Sequence, residues 1–321
     1  TPYPYLKLTT KVWKIKYTNL FMQLRDLQPD VPWKDSRQKY VALHAIDFKV
    51  NERFSFTVFE SVVWQSSDTL SNRSFDINYL NPVIFYRPVE FSQGSADNVL
   101  LGIAARLSLD KNFMWYGQLF LDEFLLSEVK KREGWWANKV GMQIGVQAAN
   151  LLPGFWAYSE FNSARPFTYT HGSVLQNYGH RNQSLAHPLG TNFYEWSTGA
   201  QLEKKEWTFT GRFNWALYGR DLNGDNYGGD IYRSYKQPYR TFDNQIGQGN
   251  THHSYITQLT ASRKILKNRD VFFFGSYTWR HVQNQFELND EHVFSFGISS
   301  SVYKISSKNS NGALPNLSND F

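Results

Sequence analysis

Hydrophobic and polar residues alternate along most of the chain, in segments of about ten residues that are separated by turn-forming residues. In the segment 207–215, four aromatic residues fall on one side of an extended chain: Trp207, Phe209, Phe213 and Trp215. The residues between them include Thr210, Arg212 and Asn214. Because successive side chains of a strand point to opposite faces, one face can meet lipid and the other water.

The same pattern predicts about thirteen strands along the chain. They lie near residues 4–11, 13–26, 38–50, 53–65, 97–108, 112–125, 138–150, 155–163, 192–204, 206–218, 253–266, 270–282 and 291–304. Long connections, at about 66–96, 126–137, 164–191 and 219–252, alternate with short turns. Tight turns at one end and long loops at the other are typical of outer-membrane barrels.

We therefore predict an all-β fold, a transmembrane antiparallel outer-membrane β-barrel over residues 1–304. A polar periplasmic tail is expected over residues 305–321. Bacterial single-chain barrels have an even number of strands, whereas the pattern gives an odd number. We therefore expect further strands before Thr1.

Composition narrows the class of protein. Aromatic residues make up 17% of the chain, yet the mean hydropathy is −0.51, as expected for an apolar lipid-facing surface combined with a polar interior and polar loops. No apolar run approaches the roughly 18 residues of a spanning helix. The chain has no cysteine, which excludes disulfides, zinc–thiolate sites and thiol nucleophiles. The net charge of +6 is spread along the chain, so we expect no nucleic-acid partner.

Several segments carry a family resemblance. They are Pro2 to Leu8 (PYPYLKL), Tyr79 to Pro82 (YLNP), Phe85 to Glu90 (FYRPVE), Phe161 to Pro166 (FNSARP), Tyr169 to His171 (YTH), Asn177 to His180 (NYGH) and Ser184 to Gly190 (SLAHPLG). In this order they resemble the Wzi-like capsule assembly family, in particular its branch in gliding bacteria with type IX secretion. The resemblance extends from about Pro2 to Tyr303.

The resemblance implies an outer-membrane lectin that anchors capsular or exported polysaccharide at the cell surface. Family members are monomeric barrels of about 18 strands with helical elements in the lumen, which implies about five strands upstream of Thr1. The chain departs from the family after Tyr303, where a polar tail delays the final Phe321. The sequence leaves open which of these two residues is the aromatic signal that ends the barrel.

The connection 164–191 is the richest in groups that recognise sugars, namely aromatic rings beside amides, guanidinium and imidazole groups. The candidate glycan contacts are Arg165, Tyr169, His171, Tyr178, His180 and His187. The alternative is a loop that folds into the barrel mouth as a plug. The two roles are compatible.

A second candidate is calcium, because oxygen-bearing side chains alternate at Asp221, Asn223 and Asp225 as they do in calcium loops. The segment departs from the EF-hand pattern, since Asn226 stands at the glycine position and Tyr232 at the position of the bidentate glutamate. Plain turn chemistry is the alternative. No other cofactor is expected.

Two further features bear on function. His252, His253, His281 and His292 have acids nearby, but their spacing offers no oriented nucleophile and base, so we expect no enzyme. The segment 78–90 has no alternation, and we expect a short helix or plug element inside the barrel.

The function predicted from the sequence is non-enzymatic binding, anchoring or organisation of surface polysaccharide in the bacterial outer membrane. Its partners would be the polysaccharide, outer-membrane lipid and possible further outer-membrane proteins. The alternative is a structural subunit of a larger secretion, gliding-motility or barrel-assembly complex. A diffusive porin is disfavoured, because plug-like segments and large loops leave little open lumen.

Overall fold

The computed structural model describes residues 2–27, 31–32, 35–66, 76–81, 97–123, 125–266 and 269–300. These residues form one 13-stranded sheet in which each strand pairs with the next one along the chain, together with a separate two-stranded hairpin inside one loop. Every pairing is antiparallel. The predicted all-β antiparallel fold is confirmed.

The strands of the wall begin with β1 (Tyr5–Val12), β2 (Ile15–Arg25), β3 (Gln38–Lys49), β4 (Phe54–Gln65), β5 (Asn98–Ser108), β6 (Phe113–Leu121), β7 (Val140–Ala149) and β8 (Phe155–Ala164). The small hairpin is β9 (Gly179–His180) and β10 (Gln183–Ser184). The wall continues with β11 (Phe193–Lys204), β12 (Trp207–Arg220), β13 (Asn250–Lys264), β14 (Val271–Gln283) and β15 (Leu288–Ser300). The predicted bounds of the wall strands agree with these to within about four residues, the usual scatter at strand ends.

Within the described residues, the helices lie in connections. They are α1 (Leu126–Lys131) and two 3-10 helices, Ile77–Leu80 and Val174–Gln176. Among the described residues, no helix is long and apolar enough to cross a membrane. Within the described part of the chain, β1 and β15 have one neighbouring strand each, so the sheet is an open section of barrel wall. The strands expected before Thr1 stay a prediction.

The register separates an apolar outer face from a polar inner face. Partners across neighbouring strands share a face, so Phe213 of β12 lies beside Thr198 and Thr257. The outer face exposes large apolar side chains on nearly every strand from β5 to β15. They include Ile103, Leu107, Trp115, Leu119, Met142, Ile144, Trp196, Phe209, Phe213, Leu259, Phe273, Phe294 and Phe296. A band of this kind meets lipid in outer-membrane barrels.

The connection between β8 and β11, residues 165–192, folds into the lumen and is called the plug below. A hydrophobic layer lies between the plug and the inner face of the wall. The wall contributes Met22, Val41 and Phe120, and the plug contributes Tyr169 with Leu185 packed beside it. The plug therefore gives the sheet an interior core at the end where the long connections lie.

One part of the outer face is covered by protein. Trp64, His44 and Glu60 face outward on β3 and β4, and all three are buried. Tyr79 packs over Trp64 with ring centres 4.7 Å apart, and its hydroxyl donates to Asp97 Oδ2 at 2.5 Å. The expectation that the segment 78–90 lies inside the barrel is therefore wrong for Tyr79, because Trp64 faces outward. Residues 82–90 lie outside the described residues.

Candidate functional site

A lysine in a buried ion pair holds the plug against β2 and β3. Asp26 follows β2 directly, and Lys39 is the second residue of β3; the two side chains lie 2.7 Å apart and are almost fully buried. Lys39 Nζ also donates to the carbonyl oxygen of Asn177 in the plug at 3.1 Å and to its side-chain oxygen. One lysine thus compensates a buried carboxylate and binds the plug backbone.

A second buried lysine, beside an aspartate and bonded to the plug, repeats this arrangement at β6 and β7; we call it the second clamp. Asp122 follows β6 directly, and the fully buried Lys139 precedes β7. Lys139 Nζ lies 4.0 Å from Asp122 Oδ1 and 3.2 Å from Glu123 Oε2, and it donates to the carbonyl of Thr170 at 3.2 Å. Its ammonium group also stands 4.0 Å from the centre of the Tyr235 ring.

Burial governs the titration of this second clamp. Loss of water raises the pKa of the Asp122 carboxyl to about 7, although Lys139 acts in the opposite direction and the N–H of Tyr169 donates to Oδ2 at 2.8 Å. Burial and, to a smaller extent, the nearby Lys139 lower the pKa of His171 to about 4. His171 is therefore neutral at pH 7 and adds no second cation to the clamp.

Hydrogen bonds hold a third side of the plug against β4 and β5. Asn98 Nδ2 donates to the carbonyl of Gln176 at 2.9 Å, and Gln176 Nε2 donates to Asp97 Oδ1 at 2.9 Å. Ser173 Oγ donates to Gln65 Oε1 at 2.8 Å. The plug is thus attached to the ends of β2 to β7.

Four of the candidate glycan contacts lie within these packed interfaces. Tyr169 is 5% exposed and stacks on Phe120 at 4.9 Å and on Tyr178 at 5.9 Å. His171 is buried, and so is His180, whose Nδ1 accepts the backbone N–H of Arg25 at 3.0 Å. Buried positions of this kind are expected if the connection folds into the barrel mouth as a plug. A glycan contact at these residues stays a prediction.

The other two candidates, His187 and Arg165, lie at the ends of the plug. His187 Nε2 is 2.8 Å from Glu195 Oε2 on β11, and its ring stacks on Phe193 at 4.3 Å. Arg165 Nε donates to the carbonyl of Asn138 at 2.8 Å. Both side chains tie the plug to neighbouring segments, and Arg165 also reaches the edge of a crevice.

This crevice, which we call the rim crevice, opens at the end of the sheet where the long connections lie. Its volume is about 410 Å³, and its lining is Glu128, Val129, Arg132, Glu133, Gly134, Asn138, Val140, Arg165, Asp243, Asn244 and Gln245. Two connections build it, because the N–H of Asp243 donates to Glu133 O at 2.7 Å and the N–H of Asn244 to Gly134 O at 2.9 Å. Gly134 permits this approach, with φ +68° and Asn244 N only 2.8 Å from where a Cβ would stand.

Sequence reasoning missed the rim crevice. Its acids and amides come from two connections that are about a hundred residues apart, and neither connection is distinctive alone. The only signal in the sequence was the concentration of acidic and amide side chains near 128–138 and 243–245.

In the candidate calcium segment, an arginine supplies the positive charge. Arg233 lies 2.8 Å from Asp221 Oδ2 and donates to the carbonyls of Asp225 at 3.0 Å and Gly224 at 2.5 Å. The other oxygen of Asp221 accepts backbone N–H groups from the same turn. Within the described residues, no group of three or more acids and histidines is arranged for a metal ion. Calcium at Asp221, Asn223 and Asp225 stays a prediction, one that requires Arg233 to withdraw.

A hydrogen-bonded network lines the lumen on the turn side of the plug. Tyr116 hydroxyl donates to Glu160 Oε2 at 2.6 Å, and Asn162 Nδ2 donates to Glu160 Oε1 at 2.8 Å. Asn162 also reaches Glu195 Oε2 at 3.0 Å, and Asn214 donates to Glu195 Oε1 at 3.0 Å. The network joins β6, β8, β11 and β12 and satisfies both carboxylates.

The four histidines near the end of the chain lie on different faces. The register places His252 on the inner face and His253 on the outer face of β13. His281 and His292 also face outward, where the ring nitrogen of His292 is 2.8 Å from the hydroxyl of Tyr277. The register therefore separates His252 from the other three.

No protein-family model matches the chain, and no curated protein matches it. Solved structures with a similar fold include Wzi of Escherichia coli, an outer-membrane protein of group 1 capsule assembly described as a carbohydrate-binding β-barrel. The identity is 10% over 90% of this chain and 67% of that chain, with a TM-score of 0.49. OccK10 of Pseudomonas aeruginosa is 6% identical over 94% and 73%, with a TM-score of 0.46. OprD of the same organism is 10% identical over 92% and 70%, with a TM-score of 0.43.

At these identities and TM-scores the likenesses identify no family, and the assignment rests on the chain itself. Thirteen consecutive antiparallel strands carry an apolar outer face and enclose a plug. Extended sheets that meet lipid on one face and water on the other occur as barrels of the outer membrane, because every backbone polar group must be paired there. The chain is a wall of a β-barrel of the bacterial outer membrane.

Proposed function

We propose that this barrel binds and organises surface polysaccharide without catalysing a reaction, and that the rim crevice is its outer contact. The choice of a polysaccharide as the ligand rests on the resemblance of the sequence to the Wzi-like family. The choice of the crevice as the site rests on its position and on the chemistry of its lining.

The observation that carries the proposal is a polar crevice beside a plugged lumen. Arg132, Glu133, Asp243 and Gln245 are among the residues that line one cavity of about 410 Å³, and their side chains carry guanidinium, carboxylate and amide groups. Such groups bind the hydroxyls of sugars by directional hydrogen bonds. The volume is within the range of about 300–1,000 Å³ that is usual for small-ligand sites. Long loops of outer-membrane barrels face the exterior, where surface polysaccharide lies.

The plug favours this role over diffusion through the lumen. Lys39 and Lys139, each in a buried ion pair of the wall, anchor it at two places by donating to a plug carbonyl. A hydrogen bond from a charged group contributes about 1.5–3 kcal/mol, so the plug is a fixed part of the barrel. A ligand arriving from outside meets the rim crevice before it meets the lumen.

The test compares cells that carry the parent gene, a deletion, or a rim variant. Deletion should release polysaccharide from the cell surface. The double variant Glu133→Gln/Asp243→Asn should reduce the retained amount while the barrel keeps its heat-resistant mobility on gels. Glu287→Gln is the matched control, because this exposed carboxylate lies in the β14–β15 turn at the same end of the sheet.

Unchanged polysaccharide retention in the deletion strain would refute the proposal. If native purification then recovers other outer-membrane proteins in stoichiometric amounts, the barrel is a structural subunit of a complex. Alanine at Tyr169 or Tyr178 does not serve this test, because both rings pack within the plug and their loss would loosen it.

A further inference from the structure

Four aromatic rings on the inner face lie close against the wall, each over a glycine of a neighbouring strand. The pairs are Phe59 over Gly102, Phe120 over Gly141, Tyr116 over Gly145 and Tyr158 over Gly199. A Cβ added at these glycines would stand 2.1 to 2.6 Å from the nearest ring atom. Glycine therefore leaves the space that each ring occupies, and the rings line the lumen.

The plug covers two of these rings. Phe120 stacks on Tyr169 of the plug, with ring centres 4.9 Å apart and planes inclined by 26°. Phe59 packs against the hydrophobic layer to which the plug contributes Tyr169. At this level of the lumen, the aromatic rings of the wall are covered by side chains of the plug.

The other two rings lie nearer the short turns. In the described part of the chain their contacts are with the wall: Tyr116 with Glu160, and Tyr158 with Ser197 at 3.2 Å. Trp156 is the next inward-facing residue of β8 toward the short turn, and its ring centre lies 5.3 Å from that of Tyr158. Tyr116, Tyr158 and Trp156 thus form a series of half-buried rings that descends from the plug, called the lumenal ledge below.

Two polar atoms beside the ledge have no hydrogen-bond partner within the described residues. They are Oε1 of Gln147, a side chain that is 8% exposed, and Nε1 of Trp156. Gln147 is the cross-strand neighbour of Tyr158, so the acceptor and the donor flank the same ring. Buried polar atoms are normally satisfied by protein, water or a ligand.

The surrounding inner face adds further hydrogen-bonding groups, neutral except for one arginine. Across β11, β12 and β13 the same rows carry Gln201, Thr210, Arg212, Gln258 and Thr260. Aromatic rings beside amides and hydroxyls suit a sugar, which has apolar C–H faces and a rim of hydroxyl groups. The inner face here thus combines aromatic rings with hydrogen-bonding groups, the two features for which the plug residues were chosen as candidate glycan contacts.

We propose that the lumenal ledge binds a segment of polysaccharide presented from the periplasmic side of the plug. The plug occupies the outer end of the lumen, while the ledge lies toward the end of the short turns, which is periplasmic in barrels of this kind. This inference rests on the proposed function and assigns it a second, inner contact. The two contacts would hold polysaccharide on both sides of one plug.

The experiment uses the full chain in a sugar-free detergent and short fragments of the cells' own purified surface polysaccharide. Binding is measured by saturation-transfer NMR and by titration. Trp156→Ala/Tyr158→Ala should weaken binding by about tenfold or more, whereas Tyr158→Phe, which keeps both rings and the Nε1 donor of Trp156, should stay within about twofold. Trp196→Ala is the matched control, because Trp196 is an exposed ring on the outer face of the adjacent β11.

The outcomes separate the two proposals. If the parent binds fragments and the alanine double variant binds them equally well, the ledge is wrong and the proposed function stands. If the parent binds no fragment, the proposed function fails together with the ledge. Should the alanine variant lose its heat-resistant fold, Gln147→Leu decides, because it removes the free acceptor and leaves both rings; unchanged binding in that variant would also overturn the ledge.

Discussion

The two ends of the lumen share one wall but differ in what meets it. At the outer end, the buried cations Lys39 and Lys139 and the ring of Phe120 each have a partner in the plug. Toward the turn end, the half-buried ring of Tyr158 faces a part of the lumen that the described plug contacts do not reach, and the buried amide oxygen of Gln147 beside it has no partner within the described residues. The strands at both ends follow the same alternation and the same pairing of rings with glycines.

This difference teaches that the local rules of the wall do not decide where a ligand can bind. The position of the plug decides it. Where the plug contacts the wall, polar and aromatic groups become a core; where it does not, the same groups remain available. Four predictions test this division.

The largest effect is expected from Lys139→Met. The substitution removes the cation beside Asp122 and Glu123 and the bond to Thr170. At about pH 8, above the Asp122 pKa of about 7, it leaves a buried carboxylate unpaired, so the folded chain should lose about 3–5 kcal/mol. Urea unfolding in detergent measures the loss, and proteolysis of the plug reports its release. Lys264→Met is the control, because the half-exposed pair of Lys264 with Asp270 at 2.7 Å should contribute about 0–1 kcal/mol. Equal losses in both variants would contradict the fixed plug.

A second prediction tests whether the lumen below the plug holds water. Phe213 faces lipid and Asn214 faces the lumen, where it donates to Glu195. Arginine at Phe213 should cost about 2–4 kcal/mol if the site lies near the membrane midplane. Arginine at Asn214 should cost far less, because it enters a polar space beside a carboxylate. Similar costs at the two positions would show that the inner face is not open.

The third prediction concerns pH at the plug. The pKa of His171 is lowered to about 4, so between that value and the ordinary value near 6.5 the unfolded imidazole binds a proton that the folded one does not. Taken by itself, His171 makes the free energy of unfolding fall as the pH drops through this window, by up to about 3 kcal/mol. The pKa of Asp122 is raised to about 7, so the folded carboxyl keeps a proton that the unfolded one loses, and stability falls as the pH rises from about 4 to 7.

Single variants separate these two opposed terms. In Asp122→Asn, the midpoint of urea unfolding should rise with pH between about 4 and 6.5. In His171→Asn it should fall as the pH rises from about 4 to 7. The parent should vary less than either variant, because the two groups act in opposite directions. The same slope in both variants would show that these groups do not control the plug.

The smallest effect is expected from the glycines beneath the rings. A Cβ at Gly145 would stand 2.3 Å from Tyr116 Cζ, whereas one at Gly275 would meet nothing within 4 Å. Gly145→Ala should therefore cost about 1–3 kcal/mol through displacement of the ring. Gly275→Ala should change stability by about 0.5 kcal/mol or less. Equal unfolding midpoints for both variants would remove the basis for the lumenal ledge.

The candidate site was less predictable than the fold. The sequence identified 164–191 as rich in rings and polar groups, but Tyr169 stacks on Phe120, about fifty residues earlier in the chain. The rim crevice requires Gly134 and Asn244 to meet, and the ledge requires Tyr158 to lie over Gly199. Contacts between such distant residues leave no periodic trace in the sequence.

The sequence by itself determined the strands, their antiparallel order and the face that each side chain takes. These follow from alternation and loop length, as in 207–215, because the pleat of a strand fixes the direction of each side chain locally. Only the tertiary structure decided which inner residues become core and which stay open to the lumen. That choice depends on where the plug returns, and the plug is positioned by the buried charges of Asp26, Lys39, Asp122 and Lys139, whose pairing no local pattern encodes.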